Sequence, residues 1–146
     1  MLQRRFEPAG CVALLAQHGV RGLFAVPVML QRLLEVPPPH PNPLRVVAVS
    51  GSALPGGLAT RFMDGYGDVL YNLYGSTEVS WASIATPRDL RAAPQTAGRP
   101  PHGTRLAILG PSGQPVPRAR SGGSSWATRC SSRGTPRGVR RNRTTA

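Results

Sequence analysis

The sequence predicts an α/β protein: a partial, mostly parallel sheet with flanking helices, followed by a disordered tail. Three observations carry that expectation. Apolar runs of strand length alternate with stretches of helical spacing from Ala9 to Leu109. Glycine-rich turns follow two of the strand-like runs. Beyond Arg118 neither period survives, and Ser, Gly, Arg and Thr dominate. The 146 residues therefore divide into an ordered region, 1–117, and a tail, 118–146.

Ala9 to His18 places Val12, Leu14 and Leu15 on one helical face, and Gly19 suits the C-terminal stop. Gly22 to Val26 is a short apolar strand. Pro27 fits the first turn of a helix to Leu34, where its missing N–H is not needed. Pro37-Pro38-Pro39-His40-Pro41-Asn42-Pro43 suits neither helix nor central strand and reads as a stiff surface loop. Leu44 to Ser50 is rich in β-branched residues, hence a buried strand, and leads into Gly51-Ser52-Ala53-Leu54-Pro55. Leu58 to Tyr66 forms the next helix, with Leu58, Phe62 and Met63 inward, and Asp68 to Tyr74 the next strand. Thr104 to Leu109 is a further strand, closed by the turn Gly110-Pro111-Ser112-Gly113.

Composition narrows the function classes. No apolar run approaches the ~20 residues that cross a bilayer. Phe6-Glu7-Pro8 stands where a secretory signal needs an apolar core. Cys11 and Cys130 lie far apart and suggest neither a disulfide framework nor a metal cluster, so a reducing cytoplasm is the expected compartment. The net charge is +12, but the tail holds eight arginines and no acid, leaving +12 − 8 = +4 for the rest. All 18 basic residues are arginine, which points to codon bias and removes any mechanism that needs a lysine of this chain. A non-catalytic remnant whose basic tail binds nucleic acid is the alternative reading. Without interleaved aromatics, such binding is expected to be incidental. No Gly-x-Ser-x-Gly elbow marks a serine hydrolase. His18, His40 and His102 are expected to be structural or solvated, and Trp81 to pack.

Ligands of α/β folds gather at Gly-rich turns beyond the C-terminal ends of parallel strands. Of the two such turns, Tyr74-Gly75-Ser76-Thr77-Glu78 has parts suited to a nucleotide. Tyr74 offers an aromatic face and Gly75 a close backbone approach. Ser76 and Thr77 offer hydroxyls to phosphate, and Glu78 a carboxylate to Mg²⁺, a hard cation that prefers oxygen.

Together these residues resemble the Tyr-Gly-x-Thr-Glu signature of the AMP-binding, adenylate-forming superfamily, which includes the fatty-acid–CoA ligases. Ser50-Gly51-Ser52-Ala53-Leu54-Pro55 is similar to an earlier loop of that family at a matching distance. Gly98-Arg99-Pro100 and Pro27-Val28-Met29-Leu30 are similar to flanking segments. The resemblance covers about Phe6 to Val116. It implies that Tyr74 stacks on adenine opposite the Ser52-Ala53-Leu54 backbone, with Asn72, Leu73 and Gly75 in the same pocket. Thr77 would bond the AMP phosphate and Glu78 would hold Mg²⁺, the pair forming the catalytic set. Gly51 and Gly98 would border the acyl channel. The implied chemistry couples a fatty acid to ATP, releases pyrophosphate, and passes the acyl group to coenzyme A.

The family's phosphate-gripping Lys loop, ribose-binding Asp and C-terminal catalytic lysine have no counterpart here, so the chain is expected to be a fragment that is inactive alone. A permitted back-translation of Ser121 to Pro136, read one frame over, gives Val-Gly-Arg-Ile-Phe-Val-Gly-Asn-Glu-Met-Leu-Phe-Glu-Gly-Tyr-Thr. That is the kind of continuation the family has, and a frameshift just before Ser121 is the expectation it supports. Trp126 is then an out-of-frame residue.

Overall fold

The computed structural model describes residues 5–78, 80–108, 114 and 128–131. They fall into two compact units, divided between His102 and Gly103. In the first unit the chain runs α1 (Pro8–Gln17), β1 (Gly22–Ala25), α2 (Pro27–Leu33), β2 (Val46–Val49), α3 (Gly56–Tyr66), β3 (Leu70–Ser76), β4 (Ser80–Ala85) and α4 (Pro87–Ala92). The strands form one sheet in the order β1-β2-β3-β4. The first three are parallel, as the alternating pattern predicts, and β4 is antiparallel to β3.

Local chemistry sets the boundaries. Glu7 caps α1 by accepting from the Ala9 and Gly10 amides, and Pro8 occupies the first turn. Pro27 likewise opens α2. Gly67, at φ +86°, lets the chain leave α3, where a residue with a β-carbon would be strained. Neither β4 nor α4 is expected from the sequence. Thr86 and Asp89 build a reciprocal capping box at the start of α4. Arg91 at its end reaches Asp64 of α3 at 2.6 Å and Asp68 at 2.8 Å.

The core lies on the helix-covered side of the sheet. Val47 and Val49 of β2, Leu70 of β3 and Ala85 of β4 meet Leu30, Leu33, Phe62, Met63 and Leu90 from the helices. The inward set expected for α3, Leu58, Phe62 and Met63, is buried. Phe24 and Val46 instead stay exposed.

Phe62 stacks on Tyr66 with ring centroids 4.5 Å apart. The Tyr66 hydroxyl donates to the Leu33 carbonyl at 3.1 Å, joining α3 to α2, and burial pushes its pKa up. Asn42 ties the proline-rich loop to the same corner, donating to the Tyr66 carbonyl at 2.7 Å while accepting from the Leu44 amide. Tyr66→Phe keeps the stack but strips the Leu33 carbonyl of this partner. A loss of about 1–2 kcal/mol is expected, measured as a lower urea midpoint with unchanged slope.

In the second unit β5 (Arg105–Ile108) pairs antiparallel with β6 (Thr128–Ser131), in the register Arg105 to Ser131 and Ile108 to Thr128. The strand expected over Thr104 to Leu109 is β5. No strand is expected at 128–131, and the remainder of 118–146, with the frameshift expectation, lies outside the described residues.

Candidate functional site

The two glycine-rich segments meet. β2 ends at Val49 and its loop, Ser50 to Pro55, crosses beside the end of β3, because Val49 pairs with Asn72 in register. A cavity of about 590 Å³ opens between them, lined by Ser50–Pro55, Asn72–Gly75, Gln95 and Ala97. Of the expected adenine-pocket residues, Ser52, Ala53, Leu54, Asn72, Leu73, Tyr74 and Gly75 all stand in this one wall. Gly51 is there too. Tyr74 is 50% exposed, so its ring face is open to a ligand.

The third wall is a strap that sequence reasoning misses. Residues 95–99 return alongside β4, held by Ile84 N–H to Arg99 O at 2.8 Å and Arg99 N–H to Ile84 O at 3.0 Å. Asn72 Nδ2 donates to the Thr96 carbonyl at 3.2 Å, and the buried Ser83 hydroxyl to the Ala97 carbonyl at 2.7 Å. Gly98 makes this approach possible. It sits at φ +80°, and a β-carbon there would lie 2.0 Å from the Ile84 carbonyl oxygen. The glycine is thus explained by backbone contact, and Gly98 lines neither this cavity nor its neighbour.

The Tyr74–Glu78 segment is a hairpin rather than a strand-to-helix loop. β3 runs on through Gly75 and Ser76, the chain turns at Thr77 and Glu78, and Ser76 pairs back with Ser80. Ser80 takes φ +58°, unusual for a residue with a side chain. Gly75 cannot be replaced cheaply, since a β-carbon would sit 2.1 Å from the Ser80 carbonyl oxygen. Thr77 lines a second cavity with Ser50, Gly51, Gly75, Ser76, Ser80 and Trp81. Trp81 is 40% exposed, so it is not the packing residue the sequence suggests.

Glu78 is exposed and lines neither cavity. The Ser76 hydroxyl donates to its Oε2 at 2.6 Å, and this bond, followed by the Glu78 backbone amide, holds its pKa below the ordinary carboxylate range. Ser76, offered by the sequence as a phosphate ligand, spends its proton on Glu78 here. Among the described residues no three His, Cys, Asp or Glu converge as a metal cage. One ionised carboxylate fits Mg²⁺, which takes few protein ligands when phosphate supplies the rest. No helix among the described residues is long and apolar enough to cross a membrane.

The chain is 30% identical over 130 residues to a feruloyl-CoA synthase of an Amycolatopsis species, covering 84% of this chain and 26% of the relative. It is 31% identical over 135 residues to a medium-chain-fatty-acid–CoA ligase of Ectopseudomonas oleovorans, covering 83% and 25%. Among solved structures it resembles the O-succinylbenzoate coenzyme A synthetase of Bacillus subtilis in complex with ATP and magnesium ion. That match has a TM-score of 0.69 and 25% identity over 79% of this chain and 24% of that one. The chain spans about a quarter of the length of these two curated relatives. The profile of the family described as AMP-binding enzyme matches residues 2–127, and the chain belongs to that family.

Proposed function

We propose that the first cavity is the nucleotide half of an ATP-dependent carboxylate–CoA ligase site. The observation that carries this reading is the single wall joining Ser52-Ala53-Leu54 to Asn72-Leu73-Tyr74. Tyr74 stacks on adenine, and the backbone of Ser52 to Leu54 closes the other side. Thr77, beside the cavity, would donate its hydroxyl to phosphate, and Glu78, whose ionised form is favoured by the Ser76 hydroxyl, would hold the cation. Glu78 and the substrate phosphates would hold Mg²⁺, which would supply charge neutralisation at the phosphates, while the cavity residues orient the nucleotide so that the acid's carboxylate oxygen bonds to the α-phosphorus and pyrophosphate leaves. Coenzyme A thiol then displaces AMP. Support comes from the family match and from the solved relative's complex with ATP and magnesium ion.

This chain supplies binding and orientation but holds no lysine to stabilise the adenylation transition state. Purified chain given ATP, Mg²⁺, acid and coenzyme A is therefore expected to release no acyl-CoA above background. A carboxylic acid is the substrate class. The resemblance implies a fatty acid, while the relatives' names include both a medium-chain fatty acid and ferulate. Residues 121–136 arise from a shifted reading frame in this reading, which the nucleotide sequence tests.

Calorimetric titration tests the site. AMP is expected to bind, and Tyr74→Ala to weaken it by about tenfold, since base–aromatic stacking contributes roughly 1–3 kcal/mol per base. Glu78→Gln should leave AMP affinity unchanged and lower that of ATP·Mg²⁺. Because the Glu78 pKa is depressed, the Mg²⁺-dependent part should persist as pH falls through the ordinary Glu range near ~4.3. In Ser76→Ala it should fade at higher pH. Failure of folded wild-type chain to bind either nucleotide overturns the reading.

A further inference from the structure

The second cavity holds about 440 Å³ and shares Ser50, Gly51 and Gly75 with the first, so the two abut along one wall. Its composition is unusual. Every described lining residue is glycine, serine or threonine except Trp81. An indole is among the largest apolar groups a fold can bury. Yet Trp81 remains 40% exposed while its neighbour Ala82 is buried at 2%.

The strand register explains this. Tyr74 pairs with Ser83, but Gly75 pairs with Trp81, so β4 carries Ala82 as one residue more than β3. A bulge of this kind re-aims the side chains beside it. Opposite the indole, Gly51 and Gly75 contribute no side chains. Neither could gain one freely. A β-carbon on Gly51 would lie 3.2 Å from Val26 Cγ1 at φ +95°, and one on Gly75 would strike the Ser80 carbonyl. The described lining of this slot is thus one aromatic residue, two glycines and the hydroxyl-bearing Ser50, Ser76, Thr77 and Ser80. An alkyl chain is held by burying its length on aliphatic side chains. Among the described residues no Leu, Ile, Val, Met or Phe lines this slot. A flat ring matches it better, stacking on indole and giving ring hydroxyls or ethers to the hydroxyl rim.

We infer that Trp81 is a specificity-determining residue and that the acid accepted beside the nucleotide is a planar aromatic carboxylic acid rather than a long-chain fatty acid. The inference rests on the nucleotide reading of the adjoining cavity and names the acid of that site.

Ligand-observed saturation-transfer NMR and calorimetry on the full 146-residue chain, with cinnamate and decanoate as probes and AMP titrated separately, test it. Cinnamate is expected to bind more tightly than decanoate. Trp81→Ala should weaken cinnamate by about tenfold, as loss of one aromatic pair predicts. It should leave AMP affinity unchanged, and Trp81→Phe should retain most of the cinnamate affinity. If circular dichroism shows Trp81→Ala unfolded, Trp81→Leu decides instead, since it keeps apolar bulk without the ring face; the same weakening is expected. Decanoate binding as tightly as cinnamate, or an alanine or leucine variant indifferent to cinnamate, overturns the inference while AMP binding leaves the nucleotide reading standing. Folded chain that binds no AMP removes both.

Discussion

Phe62→Ala is expected to cost about 3–5 kcal/mol of folding stability, the range for emptying a buried aromatic position. Phe62 is fully buried in the main core and stacks on Tyr66, whose hydroxyl holds the carbonyl at the end of α2. A void there costs the transfer of the ring, the stack and the seating of that hydrogen bond. Domains of this size hold only about 5–15 kcal/mol in total, so this one change removes a large fraction of the folding stability. Phe24→Ala is the control. Phe24 is 60% exposed, and a change within about 0.5 kcal/mol is expected there. Urea titrations of the two variants measure the contrast. Equal midpoints would place the core elsewhere.

Gly98→Ala should be nearly as severe, and its damage should fall on the first cavity. The new methyl would lie 2.0 Å from the Ile84 carbonyl oxygen and 2.2 Å from the Ala85 amide, both immovable parts of β4. The strap must lift, breaking the paired Ile84 and Arg99 hydrogen bonds and uncovering the Ser83 hydroxyl. Losses of about 1 kcal/mol per bond, together with 1–2 kcal/mol of left-handed strain, sum to about 4–5 kcal/mol. Hydrogen exchange at the Ile84 and Arg99 amides should rise to rates typical of open loops, and AMP affinity should fall. Gly67→Ala separates strain from collision, because Gly67 has φ +86° but nothing within 4 Å of a β-carbon. Its expected cost is the strain alone. Similar exchange in both variants would refute the role given to backbone contact.

Much of this arrangement was legible in the sequence, and the unread parts have physical causes. The parallel strands read well because Val46-Val47-Ala48-Val49 and Leu70-Tyr71-Asn72-Leu73 are short, apolar and bounded by turns. α3 read well because Leu58, Phe62 and Met63 keep helical spacing. β4 is different. Its bulge at Ala82 breaks the two-residue period, and its inward residues include a serine that is buried only because the strap supplies a carbonyl. No local pattern announces that partner. α4 spans only Pro87–Ala92, too short for periodicity, although Thr86 and Asp89 carried the capping signal. The hairpin at Thr77-Glu78 was hidden because the left-handed residue is Ser80, where a glycine would have been the visible cue. Gly98 could be read as special from its neighbours, but its reason lies across the sheet. The two loops that line the first cavity were thus easier to read than the strap that holds them.

The strap has a thermodynamic consequence. Gln95 and Ala97 form part of the cavity wall, and the same segment is fastened to the sheet through Asn72, Ser83 and Ile84. Any ligand that touches the wall only when the strap is down must favour the fastened state, and an interaction that fastens the strap raises that ligand's apparent affinity to the extent that it raises the closed fraction. Occupancy and closure are two readings of one equilibrium. Replacing Ser83, which touches no ligand, would therefore alter affinity through the population of the closed strap, leaving the intrinsic affinity of that closed state unchanged.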